Sequence, residues 1–233
     1  MSTLVALCLI SPLSAQSALH LDQPVSPQSF PAVTARNGMV VAQEARAARI
    51  GADILRRGGN AVDAAVATGF ALAVTYPRAG NIGGGGYMVI HLGATATETT
   101  IDFRETAPAA ITRASFLDDR GEADAAKSRD SALGIGVPGT VAGLSLAHAK
   151  YGSGRFSLAD LLAPAIAFAR DGIPIEDDTA DSLPSAQTRL GRWPASRAIF
   201  FTPDGRLKGP GDALVQADLA ETLAALVHRN DRA

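Results

Sequence analysis

Arg104 and Glu105 stand side by side where an apolar strand gives out, in the run Ile101-Asp102-Phe103-Arg104-Glu105-Thr106-Ala107-Pro108. A guanidinium held at a strand end can meet a carboxylate ligand through two parallel N–H···O bonds. A neighbouring glutamate can orient that guanidinium or receive an ammonium group. A plainer reading makes Arg104 a sheet-edge charge paired with Glu105 or Asp102. Upstream lies Gly80-Asn81-Ile82-Gly83-Gly84-Gly85-Gly86. Four glycines in a row cannot fill a core; they let backbone come close to other backbone or to a ligand. No Lys-Ser or Lys-Thr follows them, so a nucleotide P-loop is excluded and a tight, packed turn is expected. Together the two segments read as half of a binding site.

The other residues of chemical interest point elsewhere. Gly134-Ile135-Gly136-Val137-Pro138-Gly139 fits the spacing of a dinucleotide fingerprint, with Asp160 beyond it. Pro138 removes an N–H where a pyrophosphate needs one, and the preceding strands form an antiparallel pair instead of opening a parallel βαβ unit. Asp63, three residues after Asn60, is accounted for as a helix-capping carboxylate. His20, His91, His148 and His228 are far apart in sequence, and Cys8 is the only cysteine. No disulfide, Cys nucleophile or metal site is expected.

These residues need elements to hold them. Asn37-Gly38 turns into a short strand expected over Met39–Ala42. Residues 43–57 carry Ala47, Ile50, Gly51, Ile54 and Leu55 on one helical face, with arginines mostly on the other. Gly58-Gly59 ends that helix and Asn60 caps the next. From Ala61 to Val74 the second helix is apolar on every face except at Asp63 and Thr68, so it must be buried. Strands are expected over Tyr87–Leu92 and Glu98–Phe103 around Gly93-Ala94, with a third over Ser131–Val137. Helices follow over about 139–150 and 158–170, the latter capped by Ser157 with Asp160 and containing Pro164. Residues 171–211 hold five prolines and read as short helices and surface loops. A last amphipathic helix over about 217–228 buries Leu219, Leu223 and Leu226.

Five segments occur in an order that resembles the heavy-chain region of the gamma-glutamyltransferases. They are Gly58-Gly59-Asn60-Ala61-Val62-Asp63-Ala64-Ala65, Ile82 to Gly86, Asp102 to Pro108, Val137-Pro138-Gly139-Thr140-Val141-Ala142-Gly143-Leu144, and Gln216 to Leu223. The resemblance implies an α+β, helix-rich fold: part of the αββα sandwich of N-terminal nucleophile hydrolases, with residues 37–233 as a truncated heavy-chain-like domain. It assigns Arg104 to the alpha-carboxylate of a gamma-glutamyl group, with Glu105 supporting the site or acting only as its salt-bridge partner. Family members cut their own precursor to expose a threonine nucleophile at the start of a light chain. Thr99-Thr100 is the only such pair here and it runs straight into a strand, so no catalytic residue is expected in this chain and a light chain is its expected partner. The implied reaction takes a gamma-glutamyl group from glutathione or its conjugates to water or an amine, with no metal or organic cofactor. A non-catalytic protein that keeps the glutamyl pocket, or an acylase of gamma-linked side chains, would share these motifs.

Composition narrows the setting. Apolar residues make up 47% and charged residues 19% of 233, the balance of a globular protein. A net charge of -2 with scattered arginines gives no field for nucleic acid. Leu4 to Ile10 is an apolar run ending in Leu13-Ser14-Ala15, which reads as an export signal over 1–15, followed by an extended leader over 16–36. A periplasmic or secreted location follows from that reading, and no segment is long enough for a transmembrane helix.

Overall fold

The computed structural model describes residues 32–230. The expected export signal and most of the leader lie outside the described residues. Every helix and strand described belongs to the unit that begins at Asn37.

Helix α1 (Ala45–Arg56) starts where the buried Glu44 carboxylate accepts hydrogen bonds from the backbone N–H groups of Arg46 and Ala47 at 3.0 and 2.9 Å. It ends in a Schellman motif, with Gly58 N–H donating to Leu55 O and Gly59 N–H to Ile54 O at 3.0 and 2.9 Å. Gly58 has φ +89°, a conformation that any side chain would strain. Asn60 then caps α2 (Ala61–Thr75) in a reciprocal box with Asp63.

Helix α2 is the centre of the layer, with Val66, Phe70 and Val74 fully buried. Helices α1, α4 (Thr140–Tyr151) and α5 (Leu158–Asp171) pack around it, and α8 (Ala217–Asn230) packs on α5. The Ser157–Asp160 capping box forms, and α5 continues through Pro164. Leu223 is buried, with Leu219 and Leu226 half-buried beside it. Gln216 joins three elements: its Nε2 donates to Val74 O at 2.9 Å, its backbone N–H donates to Ala169 O at 2.8 Å, and its carbonyl accepts from Ala220 N–H at 3.0 Å.

One antiparallel hairpin lies against this layer. Strand β1 (Tyr87–Leu92) pairs with β2 (Thr97–Asp102) from Tyr87↔Asp102 to Leu92↔Thr97. Ile90 and Ile101 are buried against the helices, whereas Tyr87 and Val89 on the other face are exposed. The strand alternation predicts this burial. The turn takes four residues, 93–96, with Ala96 at φ 48°, so β2 is displaced one residue from the expected 98–103.

Three expectations need correction. Met39–Ala42 is irregular and has no ladder partner among the described residues; Val40 is half-buried while Val41 is exposed. Ser131–Val137 is a 3-10 turn over Ala132–Gly134 followed by a single bridge, Thr106↔Val137. Turn bonds from Gly134 N–H to Ser131 O and from Ile135 N–H to Ala132 O occupy donors that a ladder would need. Residues 171–211, expected as short helices and surface loops, include one longer helix: α6 (Asp177–Leu190) has 14 residues and includes Pro184, followed by the short α7 (Pro194–Phe200). Burial of Ala180 and Leu183 against Ile173, Ile175 and Leu214 makes a second small core that offsets the hydrogen bond lost at Pro184. Pro194 sits at the first helical position, where no N–H is required. A 3-10 turn (Arg113–Phe116), a short α3 (Ala125–Arg129) and the pair β3 (Ile173–Pro174) and β4 (Ala213–Leu214) complete the described elements.

Candidate functional site

Beyond Asp102 the hairpin ladder continues for one more pair: Phe103 N–H donates to Gly86 O at 3.0 Å, and Gly86 N–H to Phe103 O at 3.3 Å. The Phe103 ring lies against Gly86 and Gly143, so close that a Cβ on Gly143 would come within 2.2 Å of the ring. Gly84 O accepts from both Gly139 N–H and Thr140 N–H, at 2.8 and 3.0 Å, which caps α4 although Gly139 has no side chain to do so. A Cβ on Gly85 would lie 2.4 Å from Phe103 O, and one on Gly139 would lie 1.9 Å from it. The glycine loop is therefore a packed turn, as its composition predicts. It clamps the segment that leads into Arg104.

Arg104 follows with its backbone N–H donated to Asp102 Oδ1 at 3.0 Å. Its guanidinium Nε donates to Glu105 Oε2 at 3.2 Å, and the group lies 5.9 Å from the Tyr87 ring centre. Of the two carboxylates weighed as partners, Glu105 takes the guanidinium and Asp102 takes the backbone. Nε–Glu105 is the one well-formed side-chain hydrogen bond of Arg104 among the described residues, with the Tyr87 side chain close enough to add to its stabilisation, and the Arg104 side chain is 60% exposed. The Glu105 carboxyl is held below the usual range, first by its own backbone N–H; the Arg104 hydrogen bond and charge and the Gly85 N–H add to this, and desolvation opposes it. The hydrogen bond to Glu105 likewise raises Arg104 further above its ordinary value. Both groups are charged at neutral pH.

The pair lines a cavity of about 520 Å³ together with Asn81, Gly84, Thr106 and an apolar side that includes Ile111, Phe116, Leu133 and Ile135. Sequence reasoning missed that wall. It comes from the stretch between 107 and 136, whose helical pieces are too short for periodicity to mark an inward face.

The remaining candidates resolve from local geometry. In the Gly134–Gly139 segment the N–H groups of Gly134, Ile135, Val137 and Gly139 all donate to backbone carbonyls, leaving those donors unavailable to a pyrophosphate. Asp63 is fully buried and accepts from Asn60 N–H at 3.0 Å and from Ser153 N–H at 3.2 Å, so its role is structural. Thr99 and Thr100 sit in β2 opposite Ile90 and Val89. Among the described residues no group of three or more His, Cys, Asp or Glu side chains could hold a metal, and no helix is long and apolar enough to cross a membrane.

Residues 47–233 match the family model described as Gamma-glutamyltranspeptidase. Over 214 residues the chain is 48% identical to the glutathione hydrolase proenzyme of Escherichia coli K12, covering 91% of this chain and 36% of that protein. It is 39% identical over 224 residues to the glutathione hydrolase proenzyme of Bacillus subtilis 168, covering 94% and 38%. The gamma-glutamyltranspeptidase of Helicobacter pylori superposes with a TM-score of 0.81 at 42% identity, covering 85% of this chain and 56% of that one. The enzyme of Pseudomonas nitroreducens, solved in complex with L-DON, superposes at 0.75 and 39%, covering 84% and 56%. The chain thus spans about a third of the length of these curated relatives. The hairpin, the helical layer on one of its faces and these matches agree with an α+β fold of the N-terminal nucleophile hydrolase type. With a family model covering residues 47–233 and relatives close to half identical, the chain belongs to the gamma-glutamyltranspeptidase family.

Proposed function

We propose that this chain is the heavy-chain part of a gamma-glutamyltransferase or glutathione hydrolase. In this reading it supplies the anchor for the donor's alpha-carboxylate, and a light chain of the same precursor supplies the nucleophile. The observation that carries the reading is Arg104. It lines a cavity of about 520 Å³, and its one well-formed side-chain hydrogen bond among the described residues ties Nε to Glu105. This leaves a two-pronged donor edge of the shape a carboxylate takes. Glu105 acts by orienting that edge.

The light-chain threonine hydroxyl attacks the gamma-carbonyl carbon of glutathione or a conjugate, and its proton passes through the threonine's own amino group to the departing amine. An ester to the glutamyl group remains. Water or an acceptor amine then attacks the ester carbonyl, releases glutamate or a new gamma-glutamyl amide, and returns the proton to the threonine oxygen. The exposed apolar face of the hairpin, with Tyr87 and Val89, supports stacking of a second sheet belonging to the light chain. Export to the periplasm or exterior belongs to the same proposal and rests on the apolar run Leu4 to Ile10.

The test is Arg104→Ala in the complete, processed protein. A carboxylate held by two charge-assisted bonds contributes about 2–4 kcal/mol, so kcat/KM for a chromogenic gamma-glutamyl anilide should fall by roughly 30- to 1,000-fold. Arg104→Lys should fall between wild type and Ala, because it keeps the charge without the fork. Wild-type kinetics in correctly processed Arg104→Ala would place the carboxylate elsewhere and leave Arg104 as a sheet-edge charge.

A further inference from the structure

The cavity at Arg104 is lined by two chemically different sets of side chains. One is Arg104 and Glu105; the other is Ile111, Phe116, Leu133 and Ile135. Leu133 and Ile135 are 44% and 63% exposed, so large apolar side chains face a space that a charged pair also faces. A glutamyl group has an ammonium, a carboxylate and two methylenes. Its charged end matches Arg104 and Glu105, and its two methylenes are small beside four large apolar side chains. At about 520 Å³ the cavity also has room for more than a glutamyl group, since pockets of roughly 300–1,000 Å³ take whole drug-sized ligands.

The apolar wall is anchored. Phe116 closes a 3-10 turn, Arg113–Phe116, whose Thr112 N–H donates to Ser115 Oγ at 3.0 Å. Its carbonyl accepts from Asp124 N–H at 2.8 Å. Leu133 N–H donates to Ser131 Oγ at 3.2 Å, and Val137 N–H ties the far end to Thr106 O at 2.8 Å. Positions fixed in this way can discriminate between ligands, because little ordering cost remains on binding.

We propose that Ile111, Phe116, Leu133 and Ile135 form the subsite for the amine on the other side of the gamma-amide bond. The protein therefore favours gamma-glutamyl amides of aromatic and branched aliphatic amines over those of acidic ones. This rests on the gamma-glutamyl reading above. An apolar amine loses unfavourable hydration against the wall, whereas a second carboxylate would be desolvated there with no cation supplied by these four residues.

The experiment compares kcat/KM for gamma-glutamyl-phenylalanine, gamma-glutamyl-glycine and gamma-glutamyl-aspartate in the complete, processed protein, reading the released amino acid. The phenylalanine donor should exceed the aspartate donor by about tenfold or more, the discrimination a single apolar pocket supports. Leu133→Asn and Ile135→Asn should each lower the phenylalanine-to-glycine ratio by roughly threefold to tenfold. An unchanged ratio in both variants overturns the proposal while leaving the gamma-glutamyl reading intact. A uniform loss on all three donors overturns it too, by assigning these side chains to folding or subunit contact. Failure of the wild-type protein to turn over any gamma-glutamyl donor would take down both.

Discussion

The carbonyl oxygen of Phe103 occupies the place where Gly139 would carry a side chain, 1.9 Å from an ideal Cβ. The obstructing oxygen belongs to main chain, and the Gly139 backbone is itself tied to Gly84 O at 2.8 Å, so neither residue can yield without moving the start of α4 or the residue before Arg104. Gly139→Ala should destabilise the protein by about 1–3 kcal/mol or more, the usual cost of forcing atoms into packed space. Chemical denaturation checks it, and a midpoint equal to wild type would show that the close approach is absent.

Gly143→Ala tests the other side of the same residue, because its Cβ would meet the Phe103 ring at 2.2 Å. The obstruction here is a side chain, so a smaller one should relieve it. Phe103→Leu combined with Gly143→Ala should recover part of the stability lost by Gly143→Ala alone. Additive losses in the double variant would mean that the two residues are not in contact.

Asp63→Asn keeps the shape of the buried carboxylate but removes the charge that accepts from Asn60 N–H and Ser153 N–H. We expect a loss of about 2 kcal/mol, the scale for hydrogen bonds to a charged group. Asp53→Asn, on the exposed face of α1, should change stability by less than about 0.5 kcal/mol. Equal effects in the two variants would contradict the burial of Asp63.

The Asp160 carboxyl is held below its ordinary value of 3.8, chiefly by the Ser157 hydroxyl and then by the Ser157 backbone N–H. A group whose pKa is lower folded than unfolded stabilises the fold above the unfolded value, and that stabilisation is lost as pH falls through the folded value. Asp160→Asn should therefore melt below wild type at neutral pH, with the gap closing as pH drops below about 4. A gap constant down to the acid limit of folding would rule out ionisation of Asp160 as its source.

Export should remove residues 1–15 and leave a mature chain without cysteine, since Cys8 is the only one. Intact-mass measurement of exported protein reads this directly, and a retained Met1 would show that the apolar run is not a cleaved signal.

What was legible in the sequence was local. The Asn60–Asp63 and Ser157–Asp160 boxes, the glycine stop after α1 and the all-apolar face of α2 each depend on neighbours within a turn or two, and each formed. The hairpin followed from alternation, missing only the length of its turn. Arg104 and Glu105 stand out in the sequence because a motif frames them, and their pairing at 3.2 Å is a contact between neighbours in the chain. The misses have a common origin. Met39–Ala42 has strand composition, but a strand needs a partner and none is present among the described residues. The length of α6 was obscured by the five prolines of residues 171–211, when Leu183 and Ala180 had a core to enter. Ile111, Phe116, Leu133 and Ile135 converge on one cavity from separate short turns, and one-dimensional spacing carries no trace of that.

The Gln216 clasp has a consequence for the chain as it is made. Its amide closes on Val74 O across 142 residues of sequence, and Leu223 covers the layer only once α8 exists. At roughly 5–20 residues per second on the ribosome, the largely apolar α2 must wait about 7–28 s after its own synthesis for the Gln216 clasp. During that interval a greasy helix is in the nascent polypeptide with one flank unsealed, so the demand for a holding chaperone falls between the appearance of Val74 and that of Leu223.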